Sequence, residues 1–196
     1  MVTAVRAFLI RVAARAAALR ADRRGVSAVE FALILPIMLV IYAGCVELSE
    51  ALSIDRKVNR IAATIGDLFS QYSTMTATDV TNVLNASSAI IVPYASGNLK
   101  LMIYTVNISA TGEQKVGCAT SRNSPTGVPT KGSSVFPHPI PTGIAENNSQ
   151  VIVAYSEYSY SSPFSTILKQ YTGKDSYSLS HVYMIRPRLG TPVTWC

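Results

Sequence analysis

Residues 23–47 read RRGVSAVEFALILPIMLVIYAGCVE, in which a pair of arginines precedes a long apolar run. Between Val26 and Val46 the strongly polar side chains are Ser27 and Glu30. In α-helical geometry these residues span about 31 Å, enough to cross a hydrocarbon core of about 30 Å. The run therefore predicts a membrane-spanning helix, and Pro36 within it predicts a bend because proline cannot donate the hydrogen bond to residue 32.

The acid within this run requires a partner. A carboxylate inside a bilayer costs about 2.5–3.5 kcal/mol on insertion scales. Gly25, followed five and six residues later by Glu30 and Phe31, resembles the processing site of type IV prepilins, where a prepilin peptidase cuts after the glycine. Cleavage there makes Val26 the new N-terminus, and its α-amine, with a reference pKa of about 8, lies one helical turn from Glu30.

A more specific resemblance covers residues 28–52, AVEFALILPIMLVIYAGCVELSEAL. This stretch is similar to the TadE-like family of tight-adherence pilus pseudopilins, which typically shows a Val-Glu-Phe-Ala run, a proline soon after it, and a membrane-distal Glu that continues into further helix. Here these features are residues 29–32, Pro36 and Glu47. The similarity is strongest over residues 24–68 and weaker near residues 186–188.

The resemblance implies a minor pseudopilin-like assembly component of a tight-adherence (Flp/Tad type IVb) pilus or related secretion machine. It implies a single-pass protein of the bacterial inner membrane, spanning from Val26 through Pro36 and Gly44 to Val46, with a cytoplasmic N-terminus and a periplasmic head. After assembly such a protein would be pilus-associated or extracellular. The implied partners are a prepilin peptidase and other Tad pilus or pseudopilin subunits, which contact the membrane helix.

Two other interpretations of the same run stay open. In one, the chain is an uncleaved membrane-anchored Tad-related scaffold or ordinary signal anchor, which keeps residues 1–25 and lets Glu30 reach the cytoplasmic interface. In the other, Ala43-Gly44-Cys45 ends a lipoprotein signal and Cys45 is lipidated. Tyr42 then stands where such signals usually have a Leu-like residue.

The charge distribution argues against nucleic-acid binding. The chain has a formal charge of +6, but residues 1–25 hold six arginines against Asp22, so that the rest is nearly neutral. A nucleic-acid-binding domain concentrates its basic excess on its folded surface. Positive residues that flank a span stay in the cytoplasm, which predicts an outward head.

The three cysteines are of two kinds. Cys45 lies in the apolar run and is expected to behave as a small hydrophobic residue. Cys118 and Cys196 would both lie outside the cytoplasm, where disulfides persist. We expect a bridge between them that encloses nearly 80 residues, with a free Cys196 thiol or pairing to another chain as the alternatives.

The predicted organisation is a leader (1–25), a membrane and stalk helix (26–70) and an extracytoplasmic head (71–196). Beyond Glu47, apolar residues recur every three or four positions up to Leu68, so one helix extends to about residue 70. The head is predicted to be α+β, with a mainly antiparallel sheet of about four strands covered by the long helix. Its expected elements are helices at 78–90 and 162–170, strands at 99–109, 113–120, 150–159 and 177–186, and an exposed proline-rich loop at 124–148.

The sequence predicts neither a catalytic residue nor a metal site, and no cofactor. It contains no GxSxG elbow or phosphate-binding glycine loop, and His138 and His181 have no metal-type ligand close in sequence. A membrane-anchored hydrolase with an unrecognised Ser or His is the enzymatic alternative. The tyrosines between residues 155 and 183 suggest either an adhesive face or half-buried strand positions.

Overall fold

A computed structural model of the protein describes residues 14, 15, 18, 24–123, 125–162, 164, 169, 170, 173 and 176–196. The chain divides into two units, Met1–Leu48 and Ser49–Cys196. The predicted leader and the short helix predicted at 162–170 lie mostly outside the described residues.

Two α-helices of more than one turn and four strands are present in the described part. They are α1 (Arg24–Ser70), α2 (Ala77–Ser88), β1 (Leu99–Ile108), β2 (Gln114–Arg122), β3 (Ser149–Ser161) and β4 (Ser176–Ile185). Short 3-10 turns at Ala89–Ile91 and Ser96–Asn98 connect α2 to β1. The strands form one antiparallel sheet in the order β2-β1-β3-β4. The predicted α+β class is confirmed, and element boundaries agree with prediction to within two residues.

The second half of α1 packs on one face of the sheet. Its apolar residues follow the helical repeat and are completely buried: Ile54, Val58, Ile61, Ala62, Ile65 and Phe69. Opposite them lie Leu101, Ile103, Ile152, Ala154 and Tyr158 of the sheet. Gly66 permits a close approach, because a Cβ there would stand 2.8 Å from the Tyr183 ring.

Helix α2 adds to the same core and begins with a capping box. The Asp79 backbone N–H donates to the Thr76 hydroxyl, and the Thr76 backbone N–H donates to the Asp79 carboxylate. The Thr76 side chain and backbone hydrogen bonds lower the pKa of Asp79. Thr76 is therefore the N-cap residue of α2. Val80 and Leu84 of α2 are buried in the core beside α1.

The proline-rich segment corrects one prediction. Residues 125–148 are irregular, as expected, but they are not simply exposed: Ile140 is 8% exposed, and Phe136 and Ile144 pack against the second face of the sheet. The physical reason is that β1 and β3 carry apolar residues on both faces. Met102, Tyr104, Val106, Val151 and Val153 point away from α1 and form a second core that requires cover.

Three tyrosines of strand β3 pack against other residues of the head. Tyr158 and Tyr160 are 4% and 5% exposed, and Tyr155 stacks against His138 with ring centroids 4.9 Å apart. Burial lowers the pKa of His138. The half-buried interpretation of this region therefore fits these three tyrosines better than an adhesive face.

The C-terminal residues connect three parts of the head. Gln150 both donates to the Val193 carbonyl and accepts from the Val193 N–H, and Met75 N–H donates to the Thr194 carbonyl. Trp195 contacts Phe69 edge-on at 5.1 Å between centroids. Cys118 and Cys196 form a disulfide across a separation of 78 residues. The segment thus joins the end of α1, the start of β3 and the edge strand β2.

Breaking the disulfide should destabilise the head. A Cys196→Ser variant is expected to lose about 2–5 kcal/mol of unfolding free energy, because a loop of this length gains much chain entropy when released. Denaturant titration in detergent under non-reducing conditions measures the loss. Cys45→Ser is the matched control and should leave the midpoint of head unfolding unchanged. Equal midpoints for Cys196→Ser and the oxidised wild type would contradict the prediction.

Burial of Tyr104 predicts a loss of stability in alkali. Its side chain is completely buried, its hydroxyl donates to the His138 carbonyl at 3.4 Å, and burial raises its pKa to about 12. Because the raised pKa means that the folded state holds the phenolic proton more tightly, this contribution is full below about pH 10. It falls as the pH rises toward 12, by an amount on the order of 2 kcal/mol.

Denaturant midpoints between pH 9 and 12 test this for wild type and Tyr104→Phe. The unfolding free energy of the wild type should fall relative to that of Tyr104→Phe as the pH rises from about 10 to 12. A difference that stays constant over the range would show that Tyr104 does not titrate in the folded state as described.

Candidate membrane and assembly site

The apolar part of α1 is exposed on all sides in its own unit. Large apolar side chains from Val26 to Val46 have between 39% and 72% of their surface exposed, and none is buried. Gly25–Ser70 is the one helix among the described residues that is long and apolar enough to cross a membrane. Burying these side chains would be worth on the order of 20 kcal/mol, so water is an unfavourable environment for them. Single-pass membrane anchoring is the arrangement that this helix suggests.

The residues of the predicted processing site lie in the first two turns of α1. Gly25 is the second residue of the helix and has no heavy atom within 4 Å of the position a Cβ would take. Val26 and Phe31 are 51% and 58% exposed, and Glu30 is exposed as well. The side-chain position of Gly25 is thus uncrowded, and Glu30 stands one helical turn from Val26.

Pro36 and Gly44 lie further along the same segment. The helix continues through Pro36 without interruption, and Gly44 has open space on its side-chain face. An absent side chain lets another helix backbone come close in a membrane. The predicted bend at Pro36 stays a prediction.

In the head, polar contacts hold α1 on β3 and β4. The Ser156 hydroxyl, completely buried, donates to the Val58 carbonyl at 2.8 Å. His181 Nε2 lies 2.8 Å from Asp55 Oδ1, and the Tyr160 hydroxyl lies 3.5 Å from Glu50 Oε2. These contacts join parts of the chain that are about 100 or more residues apart, and they fix the position of the sheet along the helix.

Ser156, His181 and Asp55 are the residue types that form the catalytic triad of many hydrolases. Ser156 and His181 are direct partners across β3 and β4, and His181 contacts Asp55. A nucleophile needs an accessible hydroxyl with a base to accept its proton. The Ser156 hydroxyl is instead buried and donates to a backbone carbonyl of α1. The trio therefore acts as a contact between helix and sheet in this structure.

A second polar cluster lies on the other face of the sheet. Glu157 accepts hydrogen bonds from Lys100 at 3.2 Å, Tyr155 at 3.0 Å and Ser178 at 3.0 Å. Burial alone would raise the pKa of Glu157, but the three hydrogen bonds and the Lys100 charge outweigh burial and lower it. The carboxylate is satisfied by its neighbours and joins β1, β3 and β4.

No group of three or more His, Cys, Asp or Glu side chains is placed to hold a metal ion in the part of the chain that the structure describes. The sequence did not predict the contacts that His181 and Tyr160 make with Asp55 and Glu50 of the long helix. Their only sequence signal is the position of a polar residue on an otherwise apolar face, which does not identify its partner.

Comparison with known proteins bears on the long helix alone. No curated protein and no solved structure matches the chain. Residues 25–67 match the family model described as TadE-like protein. The matched residues contain the residues of the predicted processing site, the whole exposed apolar run and most of the stripe that packs on the sheet. The match confirms, over residues 25–67, the resemblance to the TadE-like family.

Proposed function

We propose that this chain is a minor pseudopilin-like assembly component of a tight-adherence pilus or related secretion machine, and that a prepilin peptidase cuts it after Gly25. The observation that carries the proposal is the combination of the TadE-like match with an exposed apolar helix whose acid lies one turn after the candidate cleavage site. The family match supports association with a Tad pilus. The cleavage and the pseudopilin role go beyond it.

The proposed role of Glu30 is electrostatic. Cleavage would place an α-ammonium group at residue 26, at the start of a helix whose N-terminal end disfavours positive charge and favours negative charge. Glu30, four residues later, lies on the same side of the helix and offsets that charge. The ammonium group of a neighbouring subunit is an equally suitable partner, and pairing with it would set the axial register between two membrane helices.

The head would remain outside the cytoplasm. Its Cys118–Cys196 disulfide suits an oxidising compartment. We propose that partner subunits associate with residues 26–46 in the membrane, while the head primes or caps the filament.

Processing is tested on protein isolated from the membranes of its own cell. We expect an intact mass and N-terminal sequence that begin at Val26, and we expect this start to disappear when the candidate peptidase is deleted. A start at Met1 in peptidase-containing cells would instead establish the uncleaved scaffold or anchor. A lipid-modified start at Cys45 would establish the lipoprotein alternative.

The role of Glu30 is tested by Glu30→Ala, with Ser27→Ala as the matched control in the same part of the span. We expect the Glu30 variant to be inserted and cleaved but to lose most of its co-purification with other pilus subunits, because the new amine has no counter-charge. Ser27→Ala should co-purify as the wild type does. Normal partner recovery by Glu30→Ala would refute the pairing role.

A further inference from the structure

The outward side of α1 within the head carries two arginines whose side chains have no polar partner. Arg56 and Arg60 are four residues apart on the helix, and both are exposed. Neither guanidinium group forms a hydrogen bond or an ion pair with any part of the chain that the structure describes. Like charges at this spacing lie on the same side of a helix and weakly destabilise it. Folding of the head therefore gains no stability from this pair.

Other basic side chains of the head are engaged with oxygen atoms. Ion pairs with carboxylates are formed by Lys100, Lys115, Arg186 and Arg188. Hydrogen bonds to carbonyl, amide or hydroxyl oxygens are donated by Lys57, Arg122 and Lys131. The contrast distinguishes Arg56 and Arg60 as cations that are free to bind a partner.

The two arginines line a depression in the surface that also has an apolar part. Its volume is about 470 Å³, and its lining residues all belong to α1: Ser49, Leu52, Ser53, Arg56, Lys57 and Arg60. Leu52 is 47% exposed and lies one helical turn before Arg56. We call the surface formed by Leu52, Arg56 and Arg60 the arginine face.

This combination of groups favours a protein as the partner. Arginine is enriched at the energetic centres of protein–protein interfaces, and its planar guanidinium group binds a carboxylate through two parallel hydrogen bonds. The exposed Leu52 adds apolar contact area beside the charges. Anionic phospholipid surfaces are instead recognised by clusters of about four to eight Lys or Arg residues, more than the arginine face contains.

A second copy of the head is a poor source of the required carboxylates. The acidic residues that the structure describes in the head all have hydrogen-bond or ion-pair partners already: Glu50, Asp55, Asp67, Asp79, Glu113, Glu146 and Glu157. A second head would have to break one of these contacts to reach Arg56 or Arg60. Charge complementarity therefore favours a different polypeptide.

We propose that the arginine face binds an acidic segment of a different protein, which presents two carboxylates one helical turn apart beside an apolar side chain. The Cβ atoms of residues four apart on a helix are separated by about 5–6 Å, so a helical partner with acids at this spacing matches Arg56 and Arg60. The inference concerns the head alone. It depends neither on cleavage after Gly25 nor on a role in a pilus.

Photocross-linking at residue 52 tests the inference with the full chain in its own cells. The photoreactive residue p-benzoylphenylalanine replaces Leu52, whose exposed position leaves room for the larger side chain. We expect ultraviolet light to give an adduct with a different protein. Mass spectrometry of the attached peptide should then show two acidic residues three or four positions apart.

The variant Arg56→Gln/Arg60→Gln measures the dependence on charge. We expect the adduct yield to fall by about tenfold or more, because the partner's carboxylates lose both counter-charges. Arg56→Lys/Arg60→Lys keeps the charges and should restore much of the adduct. Lys115→Gln/Lys131→Gln is the matched control, because it removes the same charge from other exposed positions of the head, and its yield should equal that of the wild type.

Several results would overturn the inference. They are the absence of an adduct, an adduct with lipid or with a second copy of this chain, and an attached peptide without paired acids. A yield that falls equally in the arginine variant and the lysine control, or in neither, would also overturn it. The N-terminal sequence of the protein is unaffected by any of these results, so the proposed processing is judged separately.

Discussion

The structure depends on one helix that meets two different surroundings along its length. From Val26 to Val46 the surface of α1 is apolar on every side apart from Ser27 and Glu30, which suits lipid or other membrane helices. From Ile54 onward the apolar residues narrow to a single stripe, and that stripe is completely buried against the sheet. The residues between these two regions include Glu47 and Glu50, so charged side chains mark the end of the apolar run. Every other element of the head is arranged around the buried stripe.

Much of this arrangement follows from the sequence, because the helical and strand periodicities of the apolar residues are strong. The long helix, the four strands and the class of fold were predicted, and the strand ends differ by no more than two residues. The function of the proline-rich segment was not predicted. Prolines exclude regular structure, but only the three-dimensional sheet shows that the second face of β1 and β3 needs Ile140 and Phe136 as cover.

In the candidate site, too, the local spacing of residues could be predicted from the sequence, but the long-range contacts could not. Gly25, Val26, Glu30 and Phe31 are adjacent in sequence, so their spacing on a helix could be derived without a structure. The contacts of Asp55 with His181 and of Glu50 with Tyr160 join residues 126 and 110 positions apart. No local pattern fixes such pairs, because they depend on how far the sheet is shifted along the helix.

The cover on both faces of the sheet limits how heads can meet one another. Helices α1 and α2 lie on one face, and the segment around Ile140 lies over the β1–β3 part of the other face, so neither face presents an open apolar sheet at its centre. Part of the outer edge of β2 is occupied as well, since Val116 exchanges backbone hydrogen bonds with Gly132 and Ser133. In the described part of the chain, no strand pairs with the outer side of β4, which is the other edge of the sheet. A strand of another chain would therefore pair with this sheet more readily at β4 than at β2, because unpaired backbone groups at a sheet edge favour such pairing.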